Sequence, residues 1–217
     1  MIELSCPSCG ATVEFKSKAS AFGVCRFCKS TLVRQDLKLE LIGKMAELPE
    51  DLSPLQIGTR GRYQQKSFEV VGRMRLAWDD GFWNEWYVVF NGEKTGWLAE
   101  AQGTWAINTE IQPLPQLPTV DDIALKDRIL IQGQSFEVAD LKITHCIGSE
   151  GELPVAAFES RSGKSVDLIG PNNRFASIEY GLSDSEKSET RAFVGEYLDF
   201  DTFEFSNLRP LYGWRFK

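Results

Sequence analysis

Hydrophobic and polar positions after residue 55 follow the pattern of a β protein. Short runs rich in Val, Phe, Tyr and Trp are separated by single glycines, as in antiparallel strands joined by turns. Phe68-Glu69-Val70-Val71 is one such run, and Trp86-Tyr87-Val88-Val89-Phe90 is another. The second is followed by Asn91-Gly92, a dipeptide suited to a tight hairpin turn. We therefore predict a small antiparallel β unit over residues 55–112.

The pattern begins again 68 residues later, since Ser67-Phe68-Glu69-Val70 recurs as Ser135-Phe136-Glu137-Val138. A repeat of this kind indicates an internal duplication. Each copy has runs for five or six short strands, which suits a small barrel or roll. The fixed offset aligns further segments: Arg60 with Arg128, Gly58 with Lys126, Tyr87–Phe90 with Val155–Phe158, and Trp105 near Phe175.

The remaining segments connect or extend these two units. Residues 35–54 are predicted as a connector, a strand passing into a short helix and then a Pro-containing linker. A proline-rich linker at 113–122 separates the two β units, and the second unit extends over 123–217. Within it, Ser183 and Glu186 form a capping-box pattern that predicts a helix to about Val194. Alternation over 197–205, and again at Tyr212, Trp214 and Phe216, predicts terminal strands.

The first 34 residues carry the most specific motif. Cys6, Cys9, Cys25 and Cys28 follow the pattern C-x2-C-x15-C-x2-C, the spacing of a four-thiolate zinc site. Two cysteines separated by two residues share one turn, so two such turns supply four corners of a tetrahedron. Gly10 suits the left-handed backbone of the first turn, whereas Lys29 takes that place in the second. Disulfides or a redox pair are the alternatives.

We expect the zinc to be structural. All four predicted ligands are cysteine, whereas a catalytic zinc keeps an open position beside three protein ligands. The segment also has few apolar residues with which to build a core of its own, and a piece this small needs a metal to fold. Residues 1–34 are therefore predicted to be a zinc ribbon.

Composition and charge narrow the function. The chain has 217 residues, a net charge of −7 and 42% hydrophobic residues, enough to build globular cores. No apolar run is long enough to span a membrane, and Met1–Ser5 has no signal-peptide pattern, so we expect a cytoplasmic protein without direct membrane insertion. Residues 1–34 hold five basic and two acidic residues, a net charge of +3, which leaves −10 elsewhere. Because the chain is acidic overall and phosphate binding requires clustered basic residues, we do not expect nucleic-acid binding to be its main function.

Catalytic motifs are scarce. No nucleophile elbow, phosphate-binding loop or dinucleotide fingerprint occurs in the sequence. The single histidine, His145, precedes Cys146, and on a strand the two side chains would point to opposite faces. We therefore expect a protein that is not an enzyme.

An aromatic and acidic cluster offers a possible contact surface. Five of the six tryptophans fall between residues 78 and 105. Trp83 and Trp86 have opposite strand parity, so one of them is expected to face outward beside Glu85, Asp79 and Asp80. Such a patch suits a cationic ligand such as a polyamine, or a protein contact, while core packing is the plainer alternative. Because the second copy lacks these tryptophans, we expect any ligand groove to belong to the first.

Several short motifs resemble a bacterial family known as domain of unknown function 4178 (DUF4178). They are Gly58 and Gly61, Ser67-Phe68-Glu69-Val70, Trp86-Tyr87, Trp97-Leu98 and Gly103-Thr104-Trp105. The tandem copy and the cysteine-rich ribbon also resemble members of that family. The second copy departs from the pattern, with Val166-Asp167-Leu168 in place of Gly96-Trp97-Leu98. The resemblance implies an accessory protein of a membrane-stress, channel-like or polyamine-related system, and it brings no catalytic residues.

The sequence thus predicts a mainly β protein, with a zinc ribbon followed by two related antiparallel β-barrel or roll domains. The leading functional expectation is a cytoplasmic adaptor that binds a protein partner. A polyamine-binding module and nucleic-acid contact through the basic ribbon are the alternatives.

Overall fold

A computed structural model describes residues 1–44, 48–49, 51–91, 94–112, 114–156, 162–181 and 190–212. The chain is mainly antiparallel β, as predicted. Its strands are β1 Ile2–Ser5, β2 Thr12–Phe15, β3 Phe22–Val24, β4 Ser30–Gln35, β5 Lys38–Lys44, β6 Arg60–Tyr63, β7 Lys66–Trp78, β8 Gly81–Phe90, β9 Thr95–Ala101, β10 Thr104–Glu110, β11 Arg128–Ile131, β12 Gln134–Leu153, β13 Ser162–Ile169, β14 Arg174–Gly181 and β15 Thr190–Leu198.

Eight of these strands close into a ring. The hydrogen-bonded order is β7-β8-β9-β10-β15-β14-β13-β12, and β12 pairs again with β7. Each copy of the repeat supplies four of the eight strands, so the two copies build the ring together. The pairing of β10 with β15 and of β7 with β12 forms the two seams between the copies.

The duplication is visible in the hydrogen bonds that begin each copy. In the first copy Gly58 N donates to Val70 O at 2.8 Å, and 68 residues later Lys126 N donates to Val138 O at 2.9 Å. Both donors have a left-handed backbone, with φ of 89° for Gly58 and 73° for Lys126. The two copies therefore start with the same local fold.

Further along, the constant offset fails. Val88 of β8 lies opposite Val70, whereas Leu168 of β13 lies opposite Val138, so equivalent residues are now 80 positions apart. The alignment with Val155–Phe158 was wrong: β8 corresponds to β13, and Ala157 and Phe158 lie outside the described residues. The causes are the length of β12, which has 20 residues against 13 in β7, and the connection to the next strand, which has eight residues after β12 and two after β7.

Two other expected equivalences change for the same reason. Val166-Asp167-Leu168 corresponds to Trp86-Tyr87-Val88 and not to Gly96-Trp97-Leu98. Phe175 lies in β14, the counterpart of β9, while Trp105 lies in β10, the counterpart of β15.

Three apolar cores stabilise the ring, one inside it and two on its outer faces. The inner core joins strands from both copies: Val71, Met74, Leu76, Tyr87, Trp97, Cys146, Leu153 and Phe193. The outer core of the first copy includes Phe68, Val70, Trp86, Val88 and Leu98, covered by Leu55 and Phe203. That of the second copy includes Phe136, Val138, Val166, Leu168 and Ile178, covered by Ile123.

The N-terminal ribbon is attached to the ring by backbone pairing. Strand β3 pairs with the end of β12, with Gly23 opposite Glu152. The Glu152 carboxylate accepts hydrogen bonds from the backbone N–H groups of Lys16 and Ser17, at 2.7 and 3.1 Å. At the same end of β12, Gly72 lets β7 approach closely, since a Cβ there would lie 1.9 Å from Glu152 O.

Within the ribbon, β1 and β2 form a separate hairpin, and β5 extends the sheet formed by β3 and β4. The strand predicted in the connector is therefore present, and its Leu39 packs on the ribbon core. The helix predicted after it falls partly on residues 45–47, outside the described part of the chain, as does Gly92 of the predicted hairpin turn.

The C-terminal predictions need correction. Thr190–Leu198 is strand β15, not the end of a helix, because it pairs with both β10 and β14; residues 182–189, with the proposed cap, lie outside the description. The strand predicted over 197–205 gives way at a 3₁₀ turn, Phe200–Phe203. That turn lets Phe203 join the first outer core. Tyr212 is exposed in a turn, and residues 213–217 are not described.

Helical structure is limited to that turn and Val120–Asp122 among the residues described, and no helix there is long and apolar enough to cross a membrane. The predicted 113–122 linker packs on the second outer core through Leu117 and Val120.

Candidate functional site

The four ribbon cysteines lie on two turns with the same backbone hydrogen bonds. In the first, Cys6 N donates to Ala11 O at 2.8 Å and Gly10 N donates to Cys6 O at 2.9 Å. In the second, Cys25 N donates to Ser30 O and Lys29 N to Cys25 O, both at 2.9 Å. The two turns therefore present their cysteine pairs in the same way.

Lys29 adopts the backbone conformation that a glycine would favour. Its φ is 58°, close to the 76° of Gly10 at the equivalent place in the first turn. A left-handed non-glycine residue costs free energy, which must be offset by the surrounding contacts. The second turn, with lysine at this position, thus has the same backbone geometry as the first turn, which has glycine.

The thiols converge on one point. Cys6 Sγ lies 3.7 Å from Cys28 Sγ, Cys9 Sγ lies 3.7 Å from Cys25 Sγ, and all four sulfur atoms lie within 4.8 Å of one another. These distances exclude disulfides, whose sulfur atoms are about 2.05 Å apart. Hydrogen bonds from the side chain and backbone of Ser30 lower the pKa of Cys28 to about 6. The arrangement is that of a four-thiol metal site.

The predicted aromatic and acidic patch is divided between different parts of the molecule. Trp86 is fully buried in the outer core of the first copy, where Glu100 accepts a hydrogen bond from its indole N–H at 2.9 Å. The Arg73 guanidinium lies 4.6 Å from its ring centre on the same face. Asp79 and Asp80 are exposed in the turn between β7 and β8. Trp86 is therefore a core residue and not part of a contact surface.

Trp83 and Glu85 face the inside of the ring. The Trp83 indole N–H donates to Glu85 Oε1 at 2.8 Å. Both side chains line a pocket of about 140 Å³ in the ring, together with Lys142, Asp167 and Glu179 of the second copy. The expectation that a groove would belong to the first copy alone was wrong, because the ring places the inner faces of both copies around one space.

Burial and like charges shift the carboxylates of this pocket. Burial, with the charges of Glu179 and Asp167, raises the pKa of Glu85 to about 8, although the hydrogen bond from Trp83 acts in the opposite direction. Burial also raises the pKa of Asp167 to about 6, against the lowering effect of Lys142. Close carboxylates away from water disfavour the charged form, which explains both shifts.

A buried charge cluster was not expected from the sequence. Asp51, in the predicted linker, accepts hydrogen bonds from the side chains of Arg73, Arg75, Asn84 and Arg209. Burial would raise the pKa of Asp51, but Arg73, the Asn84 amide and Arg75 together hold it below its usual range. The linker is thus anchored on the ring. The alternation of arginines with apolar residues in β7 was the available signal.

His145 and Cys146 point to opposite sides of β12, as expected. His145 is exposed, whereas Cys146 is buried in the inner core of the ring. The two side chains therefore do not form a nucleophile and base pair.

A family model described as "Domain of unknown function (DUF4178)" matches residues 56–200. The chain belongs to the DUF4178 family. The matched region begins just before β6 and ends just after β15, so it contains both copies and the whole ring, while the ribbon precedes it. No curated protein and no solved structure matches the chain.

Proposed function

We propose that this DUF4178 protein is a non-enzymatic cytoplasmic adaptor that binds an acidic partner protein through a zinc-stabilised ribbon. The observation that carries this proposal is the ribbon tip: four thiols hold an exposed aromatic and basic turn at a defined place beside the ring.

Zinc fits the thiol cluster in both ligand type and size. A tetrahedral zinc with bonds of about 2.3 Å to sulfur requires sulfur atoms roughly 3.8 Å apart. Two of the distances between the thiol sulfur atoms are 3.7 Å, close to this value. With four cysteine ligands no coordination position is left open, so the zinc would link the two turns and take no part in a reaction.

The second turn presents the contact surface. Phe27 is 62% exposed, which is unusual for a large aromatic side chain between two metal ligands. The guanidinium of Arg26 lies 4.7 Å from the centre of the Phe27 ring, and Arg26 and Lys29 place positive charge beside it. An exposed aromatic ring flanked by cations suits a partner with an apolar pocket in an acidic surface.

Attachment of the ribbon to the ring supports the adaptor role. Backbone pairing of β3 with β12 and the two hydrogen bonds to the Glu152 carboxylate connect the ribbon to the ring. An additional ion pair joins Lys16 to Glu69. A partner bound at the tip would therefore be held beside the ring.

The test is affinity capture from native cells with the full chain and matched variants. We expect Phe27→Ala to lose a partner that the natural chain retains. Leu130→Ala, which changes an apolar residue of similar exposure on β11, outside the ribbon, should keep it. Retention of the partner by Phe27→Ala would overturn the assignment of the ribbon tip. Absence of any acidic protein partner would overturn the adaptor proposal, and binding of DNA or RNA that weakens steeply with salt would favour nucleic-acid contact instead.

A separate measurement tests the metal. We expect one zinc ion per chain, released by a strong chelator or by Cys25→Ser/Cys28→Ser. Because the three cores of the ring contain none of the four ribbon cysteines, its β-sheet circular dichroism should persist after release. A metal other than zinc, or a stoichiometry well below one, would contradict the prediction.

A further inference from the structure

One end of the ring is hollow while the other is filled. Large inner-core side chains occupy the filled end. At the hollow end the inner face carries small side chains: Ala99, Ala101, Ala106, Ser165 and Ser177. The resulting space of about 140 Å³ equals four to five water molecules at roughly 30 Å³ each. The turn with Asp79 and Asp80 directly follows Trp78, which lines this space.

The inside of the ring at this end carries more negative than positive groups. Three carboxylates, those of Glu85, Asp167 and Glu179, line the pocket together with one cation, Lys142. Arg191 bonds to Glu110 at 2.5 Å and lies 4.0 Å from Glu179. Lys142 pairs with Asp140 at the rim. The interior thus has an excess of two carboxylates when all are ionised.

An unpaired acceptor faces the same pocket. Asn108 is only 6% exposed, and its Oδ1 atom has no hydrogen-bond partner in the described residues. Asn108 lines the pocket and follows Thr104 and Ala106 on the inner face of β10. A buried acceptor without a partner is unfavourable, so a donor supplied by a ligand would be stabilised at this position.

A lysine of the chain itself already places an ammonium group against an aromatic ring at the pocket. Lys142 Nζ lies 4.8 Å from the centre of the Trp78 ring, so a primary ammonium already contacts an aromatic face at the pocket wall. Trp83, Phe175 and Tyr197 add further aromatic surface. Ammonium groups are attracted to such faces as well as to carboxylates.

A metal ion suits the pocket less well. Among the residues that the structure describes, the four cysteines of the ribbon are the one group of three or more potential ligands close enough to share an ion. The carboxylates of the pocket are therefore too widely spaced to converge on a bare cation. An organic cation with several N–H donors can reach separate acceptors.

We propose that the hollow end of the ring binds a short primary ammonium ligand, held by Glu85, Asp167, Asn108 Oδ1 and the tryptophan faces. The site goes beyond the proposed adaptor function and is independent of the ribbon. Its volume admits a chain of about four heavy atoms and excludes the whole length of a polyamine. Each copy supplies part of the recognition: the first copy gives the two tryptophan rings and Glu85, and the second gives Asp167 and Glu179.

The test is calorimetric titration of propylammonium into the full chain at pH 8, with propanol as the neutral analogue. We expect saturable binding of one propylammonium per chain with a Kd of about 1 mM or tighter, and no saturation with propanol. Glu85→Gln, which keeps the size of the side chain, should weaken binding at least tenfold. Glu3→Gln makes the same charge change on an exposed ribbon strand and should leave the Kd within twofold.

The pH dependence gives a second readout that does not depend on a variant. Propylammonium stays protonated to about pH 10, while Glu85 gains charge as the pH rises through about 8. Affinity should therefore rise about tenfold from pH 7 to pH 9 in the natural chain and stay flat in Glu85→Gln. Lack of saturation, equal binding of propanol, or an unchanged Kd in Glu85→Gln would each overturn the proposal. None of these outcomes bears on capture of a partner by the ribbon.

Discussion

The two copies of the repeat agree on the outside of the ring and differ on its inside. At equivalent outer positions both copies are apolar: Phe68 and Phe136, Val70 and Val138, Trp86 and Val166, Val88 and Leu168, Leu98 and Ile178. At equivalent inner positions the first copy has an apolar residue where the second has a polar one. The pairs are Met74 and Lys142, Leu76 and Thr144, Tyr87 and Asp167, Trp97 and Ser177.

The difference follows from what each face packs against. Each outer face must bury its own covering segment, so each copy needs a complete apolar surface there. The inner faces share one space, so only their combined volume and charge are constrained. Large residues from both copies fill one end, and small or charged residues from both copies leave a pocket at the other. Closing two copies into one ring has thus allowed a site to form without disturbing either outer core.

The comparison is tested most strongly by removing the same aromatic residue from each outer core. Phe68 and Phe136 are 2% and 1% exposed at equivalent positions. We expect Phe68→Ala and Phe136→Ala each to lower the free energy of unfolding by about 3–5 kcal/mol, measured by urea denaturation. The exposed Leu130→Ala should change it by less than about 0.5 kcal/mol. Costs for the two Phe variants that differ by more than about 2 kcal/mol would show that the outer cores are not equivalent.

A pH-dependent effect is expected from the charges of the inner face. The pKa of Glu85 is about 8 in the folded chain, above its ordinary value of 4.5, so the folded state holds this proton more tightly than the unfolded one. Its contribution to stability is complete below about pH 4.5 and is lost as the pH rises to about 8. Glu85→Gln should therefore gain stability relative to the natural chain across this range, by up to about 1.4 kcal/mol per pH unit.

The measurement is urea denaturation of both proteins at several pH values between 4.5 and 9. The groups that line the pocket with Glu85 from the strands of the second copy are Glu179, Asp167, Lys142 and Tyr197. All of them are present in both proteins. Parallel stability curves for the two proteins would contradict the interior position of the Glu85 carboxylate.

The smallest effect is expected for the exposed acids of the original patch. Asp79→Asn/Asp80→Asn should change the free energy of unfolding by less than about 0.5 kcal/mol at any pH from 5 to 9, because both carboxylates are exposed to water in a turn. This double variant separates turn acids from pocket acids of the same first copy. A pH-dependent gain in stability like that of Glu85→Gln would mean that the two groups share one environment.

The thiol cluster was the feature best predicted from the sequence. Ligand type and spacing are local properties, and two residues between paired cysteines restrict each pair to one turn. The β character and the start of the duplication were also accessible, since Phe68 and Phe136 belong to identical tetrapeptides. The later offset was not, because the longer β12 and the longer connection after it leave no motif that marks where equivalence shifts.

The residues that line the pocket could be predicted only in part from the sequence. Parity correctly separated Trp83 from Trp86, but it could not tell which of the two strand faces was inside the ring. Asp167 and Glu179 could not be associated with Glu85, because they lie more than 80 positions away in sequence. Asp51 was likewise assigned to a linker, since its partners Arg73 and Arg75 are brought to it by the fold.

The sequence by itself determined the mainly β character, the start of each copy and the cysteine turns, because apolar alternation, glycine spacing and ligand spacing act over a few residues. Only the tertiary structure decided that β10 pairs with β15 and β7 with β12, and this closes one ring from two copies. Those pairings are made by backbone hydrogen bonds, which carry little side-chain signature. The pocket exists because of them, since it lies where the inner faces of both copies meet.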